Sequence, residues 1–149
     1  MLQFSVLWDK HPANQVPAEI APCSNESGTP NFANQCAIRM GVCLAEAGAD
    51  LSSFRGVNCW HGHGRRHILR AEELGNYLKT RRDIVGTVSV DKSPTLAEYT
   101  SRRGIVFFLN FWGTGNQGDH IDVWNGSKMA KGSDSYFAAA QEVWFWELT

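Results

Sequence analysis

The chain has 149 residues, 14 of them basic and 15 acidic, for a formal net charge of −1, with 43% hydrophobic content. That length suits a single domain around one core, and the balanced charge gives no pull toward nucleic acid or an anionic membrane surface. No apolar run reaches the roughly 18 residues that a membrane-spanning helix requires, and 4 cysteines are too few for a disulfide scaffold.

Residues 1–33 read as an irregular N-terminal segment of a domain that covers 1–149. Pro12, Pro17, Pro22 and Pro30 interrupt any long periodic run there. Met1 to Lys10 lacks the basic start and long apolar core of a secretory signal, which places its synthesis in a cytoplasm without a signal peptide. Ser24 to Asn31 is rich in turn formers and is expected on the surface. From Gln35 to Ala47 the spacing of Ala37, Met40, Leu44 and Ala47 predicts a helix, with Asn34 as its N-cap and Gly48 as its C-cap. Residues 50–67 are irregular. A second helix is predicted over Arg70 to Arg81, with Ala71, Leu74 and Leu78 inward, and a weak strand over Asp83 to Val90.

Ser93-Pro94 predicts another helix start, ending near Arg103-Gly104. Gly104 to Trp112 is a continuous apolar run of β-formers and reads as a central strand. Gly113 to Gly118 reads as a flexible loop rather than a phosphate cradle, because no lysine and hydroxyl follow. His120 to Trp124 is a second strand, closed by an Asn125-Gly126 turn. Ser135 to Gln141 predicts a short helix and Val143 to Trp146 a last strand. Helices first and an antiparallel meander after them give an α+β fold.

Two residues carry the chemistry. Cys36 stands at the front of the first predicted helix, where the positive end of the helix dipole favours thiolate over thiol. His120 opens a strand far along the chain, and brought next to Cys36 it completes a Cys–His nucleophilic pair. Strand alternation puts His120, Asp122 and Trp124 on one face, so Asp122 can orient the imidazole. Asp134, near the start of the next element, is a second candidate orienter. A rival constellation runs Cys59-Trp60-His61-Gly62-His63-Gly64-Arg65-Arg66-His67. Its cysteine and histidines are zinc-ligand types, but their spacing matches no zinc pattern. The segment reads as a solvated substrate-rim loop, and no metal is assigned.

The stretches Asn34-Gln35-Cys36-Ala37-Ile38-Arg39-Met40 and Gly118-Asp119-His120-Ile121-Asp122-Val123-Trp124-Asn125-Gly126 resemble the type VI secretion amidase effectors of the fourth family. The middle segment His67 to Leu74 and the aromatic ending Val143 to Trp146 fit too. The resemblance implies a papain-like fold of the NlpC/P60 kind, with N-terminal helices packed on an antiparallel sheet. It implies an antibacterial toxin, delivered by the type VI secretion apparatus to a rival's periplasm and needing no cofactor. Its substrate there is the D-glutamate–meso-diaminopimelate amide of peptidoglycan stem peptides. It also implies a cognate immunity protein that blocks the cleft of the effector.

On this chain the resemblance makes Cys36 the nucleophile and His120 the base. Family members can carry an aspartate eleven positions after the histidine, where this chain has Lys131. The orienting role then passes to Asp134 through a small insertion, with Asp122 as the alternative. The Cys36 N–H, with Asn34 or Gln35, is the expected oxyanion site. Asn34, Gln35, Arg39 and Trp124 are the expected substrate contacts, with Arg65 and Arg66 as further partners for substrate carboxylates. Two readings from other classes compete: a non-catalytic peptidoglycan- or protein-binding module on the same fold, and a zinc-dependent hydrolase built on Cys59, His61, His63 and His67.

Overall fold

A computed structural model describes residues 1–62, 66–110 and 118–149. Helices α1 (Phe4–Lys10), α2 (Cys36–Glu46), α3 (Ala71–Lys79) and α4 (Arg82–Val85) come first. Strands β1 (Ser89–Asp91), β2 (Gly104–Leu109), β3 (His120–Trp124) and β4 (Glu142–Glu147) follow, with the short helix α5 (Tyr136–Ala139) before β4. The strands form an antiparallel sheet in the order β1-β4-β2-β3.

Alternation along the strands feeds a core on each face of the sheet. Ile105, Phe107, Ile121, Val123, Trp144 and Trp146 meet the apolar sides of α1, α2 and α3. On the opposite face, Val106, Phe108, Trp124 and Phe145 meet Tyr99 and Phe137. Because both faces are covered, β2 is buried from Gly104 to Phe108 and reads as an unbroken apolar run. Strands β2 and β4 come close enough at Gly104 that a Cβ there would run into the Trp146 carbonyl.

Four elements depart from the sequence reading. Helix α1 occupies the segment expected to be irregular. All the prolines lie beyond it, while Phe4 and Leu7, one turn apart, bury an apolar side. The strand expected over Asp83 to Val90 is split: α4 ends at Gly86, which holds φ 75°, and only Ser89–Asp91 pairs with β4. After Ser93-Pro94 the chain forms a short 3-10 turn at Leu96–Tyr99 instead of a full helix. Leu96 and Tyr99 are its apolar contacts with the core, too narrow a stripe to hold further turns. Strand β2 stops at Leu109, and Asn110 turns out with φ 54°. The remainder of that expected strand, and the Gly113 to Gln117 part of the expected loop, lie outside the described residues.

Candidate active site

The start of α2 is braced from the segment before it. Gln35 is buried, and its amide donates to the Cys23 and Phe32 carbonyls at 2.8 and 3.0 Å. Its carbonyl accepts the Cys23 N–H at 3.0 Å. Gln35 is therefore a brace, not the substrate contact the sequence suggested. Asn34 Oδ1 accepts the Cys36 N–H at 3.1 Å, so Asn34 caps the first turn. That bond also occupies the N–H expected to serve as an oxyanion donor. Cys36 is 3% exposed, with its Sγ 3.8 Å from the Asp119 carbonyl.

The pairing of β2 with β3 sets Phe108 opposite His120 and Val106 opposite Asp122. Residues two apart on a strand share a face, and Asp122 Oδ2 accepts a bond from His120 Nε2 at 2.8 Å. With Nε2 committed, Nδ1 is the nitrogen left for the hydrogen bond that joins the His120 and Cys36 side chains. Asp122 itself is 1% exposed and well supplied with donors. Oδ1 accepts the Val123 N–H at 2.8 Å, and Oδ2 also accepts the Lys131 N–H at 3.0 Å. Burial alone would push the Asp122 carboxyl up, but the bond and charge of His120 hold it below the usual carboxylate range. Burial pulls the His120 imidazolium down, yet the bonds to Asp122 and Cys36 outweigh it and push the pKa up to about 9.

His11, unremarked in the sequence, is the further member. It follows α1, is 1% exposed, and its Nε2 lies 3.5 Å from Asp122 Oδ1. Its Nδ1 accepts the Ala13 N–H at 3.2 Å, so the proton sits on Nε2, facing the carboxylate. Burial lowers its pKa to about 4 despite Asp122, so at neutral pH it is an uncharged neighbour of the carboxylate rather than an ion-pair partner. The contact joins segments remote in sequence, and no local pattern announces it.

The expected Asp134 is corrected by this geometry. It is exposed at the approach to α5, where its carbonyl accepts the Phe137 N–H, while Asp122 occupies the place beside the ring. Lys131, at the family's aspartate position, instead brings its backbone N–H back onto Asp122. Trp124 is corrected too: it is fully buried, with its indole N–H on the Tyr99 carbonyl at 2.8 Å, and belongs to the core. Arg39 does reach the site. It is 8% exposed, donates from Nη1 to the Ile20 carbonyl at 2.8 Å, and lines a cleft of about 710 Å³ with Asn34, Asp119, His120, Lys131 and Tyr136. Burial lowers the Arg39 pKa, opposed by its electrostatic interactions with Cys36 and Asp122. Gly132 closes the cleft against the imidazole: a Cβ there would sit 3.0 Å from His120 Nε2 and 3.1 Å from the Tyr136 ring.

The histidine-rich segment lies elsewhere. His61 is exposed and stacks on Trp60, Arg66 is exposed, and His63 and Arg65 lie outside the described residues. His67 is buried near Cys59 and, unexpectedly, near Cys23.

An α+β domain of papain-like architecture, with a cysteine at a helix start, a histidine at a strand start and a buried carboxylate behind it, is the class these features define. The sequence model of the family described as "Type VI secretion system (T6SS), amidase effector protein 4", Tae4, matches residues 32–146. The chain belongs to that family. No curated protein sequence matches it. Among solved structures, it resembles the type VI effector Tae4 from Enterobacter cloacae, with a TM-score of 0.73 and 19% identity over 100% of this chain and 98% of that one. It also resembles the type VI effector–immunity complex Tae4–Tai4 from Salmonella Typhimurium, with a TM-score of 0.74 and 17% identity over 100% of this chain and 99% of that one. At those identities the likeness establishes the fold.

Proposed function

We propose that this amidase effector hydrolyses the D-glutamate–meso-diaminopimelate amide of peptidoglycan stem peptides by Cys–His nucleophilic catalysis. The observation that carries the reading is the buried chain from Cys36 through His120 to Asp122, opening on a cleft in a chain of the amidase effector family. With its pKa near 9, His120 holds the proton at neutral pH, and Asp122 stabilises that imidazolium. The Cys36 sulfur attacks the amide carbonyl, and the positive end of α2 faces the developing oxyanion. His120 gives its proton to the leaving amine, which departs and leaves a thioester on Cys36. Water then loses a proton to His120 and attacks the thioester, and the freed carboxylate departs from the sulfur.

The substrate is rich in carboxylates. Arg39 and Lys131 both line the cleft, and burial pushes the Asp119 carboxyl there upward. Arg39 is the substrate-carboxylate partner in this reading. The Salmonella Typhimurium relative is solved as a complex with Tai4, an immunity protein. A cognate immunity protein that covers the same cleft is the corresponding partner here. Delivery through the secretion apparatus accounts for action in a rival's periplasm. Among the described residues, no helix is long and apolar enough to cross a membrane.

Digestion of purified Gram-negative peptidoglycan, with released muropeptides read by mass spectrometry, tests the reading. Wild type should cut between D-glutamate and diaminopimelate, and Cys36→Ala should not. Cutting by neither protein, or equally by both, would overturn it.

A further inference from the structure

Three side chains unused by that mechanism converge on one point beside the N-terminal segment. The sulfurs of Cys23 and Cys59 and a ring nitrogen of His67 all lie within 4.8 Å of one another. Cys23 is 0% and His67 4% exposed, and Cys59 is half-buried. The two sulfurs are 3.5 Å apart. Two thiolates at about 2.3 Å from a tetrahedral zinc ion stand roughly 3.8 Å apart, so small movements would seat the ion.

The backbones that carry the three side chains are held by hydrogen bonds of their own. Cys59 and His67 face one another across a short antiparallel ladder, with the Cys59 N–H on the His67 carbonyl at 2.8 Å and the Leu69 N–H on the Val57 carbonyl at 3.2 Å. Cys23 is clamped at both its N–H and its carbonyl by the Gln35 side chain. Each sulfur also receives an N–H donor: Asn31 Nδ2 at 3.5 Å from Cys23 Sγ, and the His61 backbone N–H at 3.5 Å from Cys59 Sγ. Such donors suit thiolates and are the usual outer support of a metal–sulfur site.

We propose that Cys23, Cys59 and His67 form a structural site for a zinc-class divalent ion. The ion ties the N-terminal segment to the 57–69 ladder and, through Gln35, steadies the start of α2. This differs from the zinc hydrolase considered on sequence grounds. The ligand set takes Cys23 in place of His61 and His63, and none of the three residues lines the proposed catalytic cleft. Three protein ligands fill three of the four positions of a tetrahedral ion.

The test uses the full chain, purified and equilibrated with zinc under a thiol reductant. Bound metal is measured by elemental mass spectrometry, and cobalt substitution is followed by thiolate-to-cobalt absorbance. Wild type and Cys36→Ala should both hold stoichiometric metal and show the thiolate band, and chelation should lower the melting midpoint of each. Cys59→Ser and His67→Gln should lose affinity at least about tenfold. Should those variants not fold, the wild-type cobalt spectrum decides alone. Folded wild type that takes up neither metal would overturn the proposal. So would uptake undiminished in both folded variants, or a Cys23–Cys59 disulfide that forms while zinc is present. Muropeptide release plays no part in these readouts, so their failure leaves the amidase reading standing.

Discussion

Asp122→Asn separates the two carboxylates that compete for the orienting role. Each Asp122 oxygen accepts a backbone N–H: Val123 at 2.8 Å on Oδ1, and Lys131 at 3.0 Å on Oδ2 beside His120 Nε2. An amide turned either way therefore sets an NH2 group against a backbone donor, and a buried donor left unmade costs about 1–3 kcal/mol. The larger effect falls on His120. Its burial favours the neutral ring, and the Asp122 bond and charge are chief among what holds the pKa near 9. Without that charge the value should fall toward the ordinary 6.5, a loss of up to about 3 kcal/mol in preference for the imidazolium. The raised His120 value contributes stability that is fully present below pH 6.5 and is lost as pH rises through 9. The depressed Asp122 value contributes stability present above its ordinary 3.8 and lost as pH falls through its lower native value. The stability gap between wild type and Asp122→Asn should thus be widest from pH 4 to 6.5 and shrink toward pH 9 and above. Urea denaturation across pH measures the gap, NMR titration of the His120 ring gives its pKa, and muropeptide release should fall about 10²- to 10⁴-fold. If Asp122→Asn leaves His120 titrating near 9 and Asp134→Asn abolishes release instead, the assignment of the orienter is refuted.

Other variants probe the rest of the site. His11 has its pKa lowered by burial to about 4, so as pH falls from 6.5 to 4 the unfolded chain takes up a proton that the folded chain resists. Wild type should lose about 3 kcal/mol across that window; in His11→Phe, urea midpoints at pH 7 and 4.5 should lie closer together. Gly132→Ala presses a methyl against His120 and Tyr136, and should cost about 1–3 kcal/mol in thermal stability and lower kcat with it. Arg39→Gln should raise KM for stem peptides by about tenfold or more, the size of one charged hydrogen bond. A substrate whose free carboxylate is amidated should show little difference between the Arg39 forms, and equal losses on both substrates would count against Arg39 as the carboxylate partner.

The placement of the candidate pair was readable because it rests on local signals. Cys36 does open a helix and His120 does open a strand, and β3 runs from His120 to Trp124 as its alternation predicts. What the sequence withheld depends on chain closure. Asp134 drew attention because the family pattern counts onward from the histidine. In the fold, the segment after Met129 returns to Asp122 and delivers the Lys131 N–H to a carboxylate already present. His11 reaches Asp122 from the far end of the chain, and Cys23 reaches Cys59 and His67 across turn-rich sequence expected at the surface.

Trp124 shows the deeper reason. Alternation correctly set it on the same face as His120 and Asp122, but period two reports sides, not surroundings. Here α2 and α3 cover one side of the sheet, and α5 with the Leu96–Tyr99 turn covers the other. The side that carries His120 is therefore cleft at the start of β3 and core at its end, with Trp124 sealed under Tyr99 and Phe137. The proposed catalytic base and a core residue thus share one strand face two positions either side of Asp122. The element packed above each decides between them, and that information lies in distant parts of the chain.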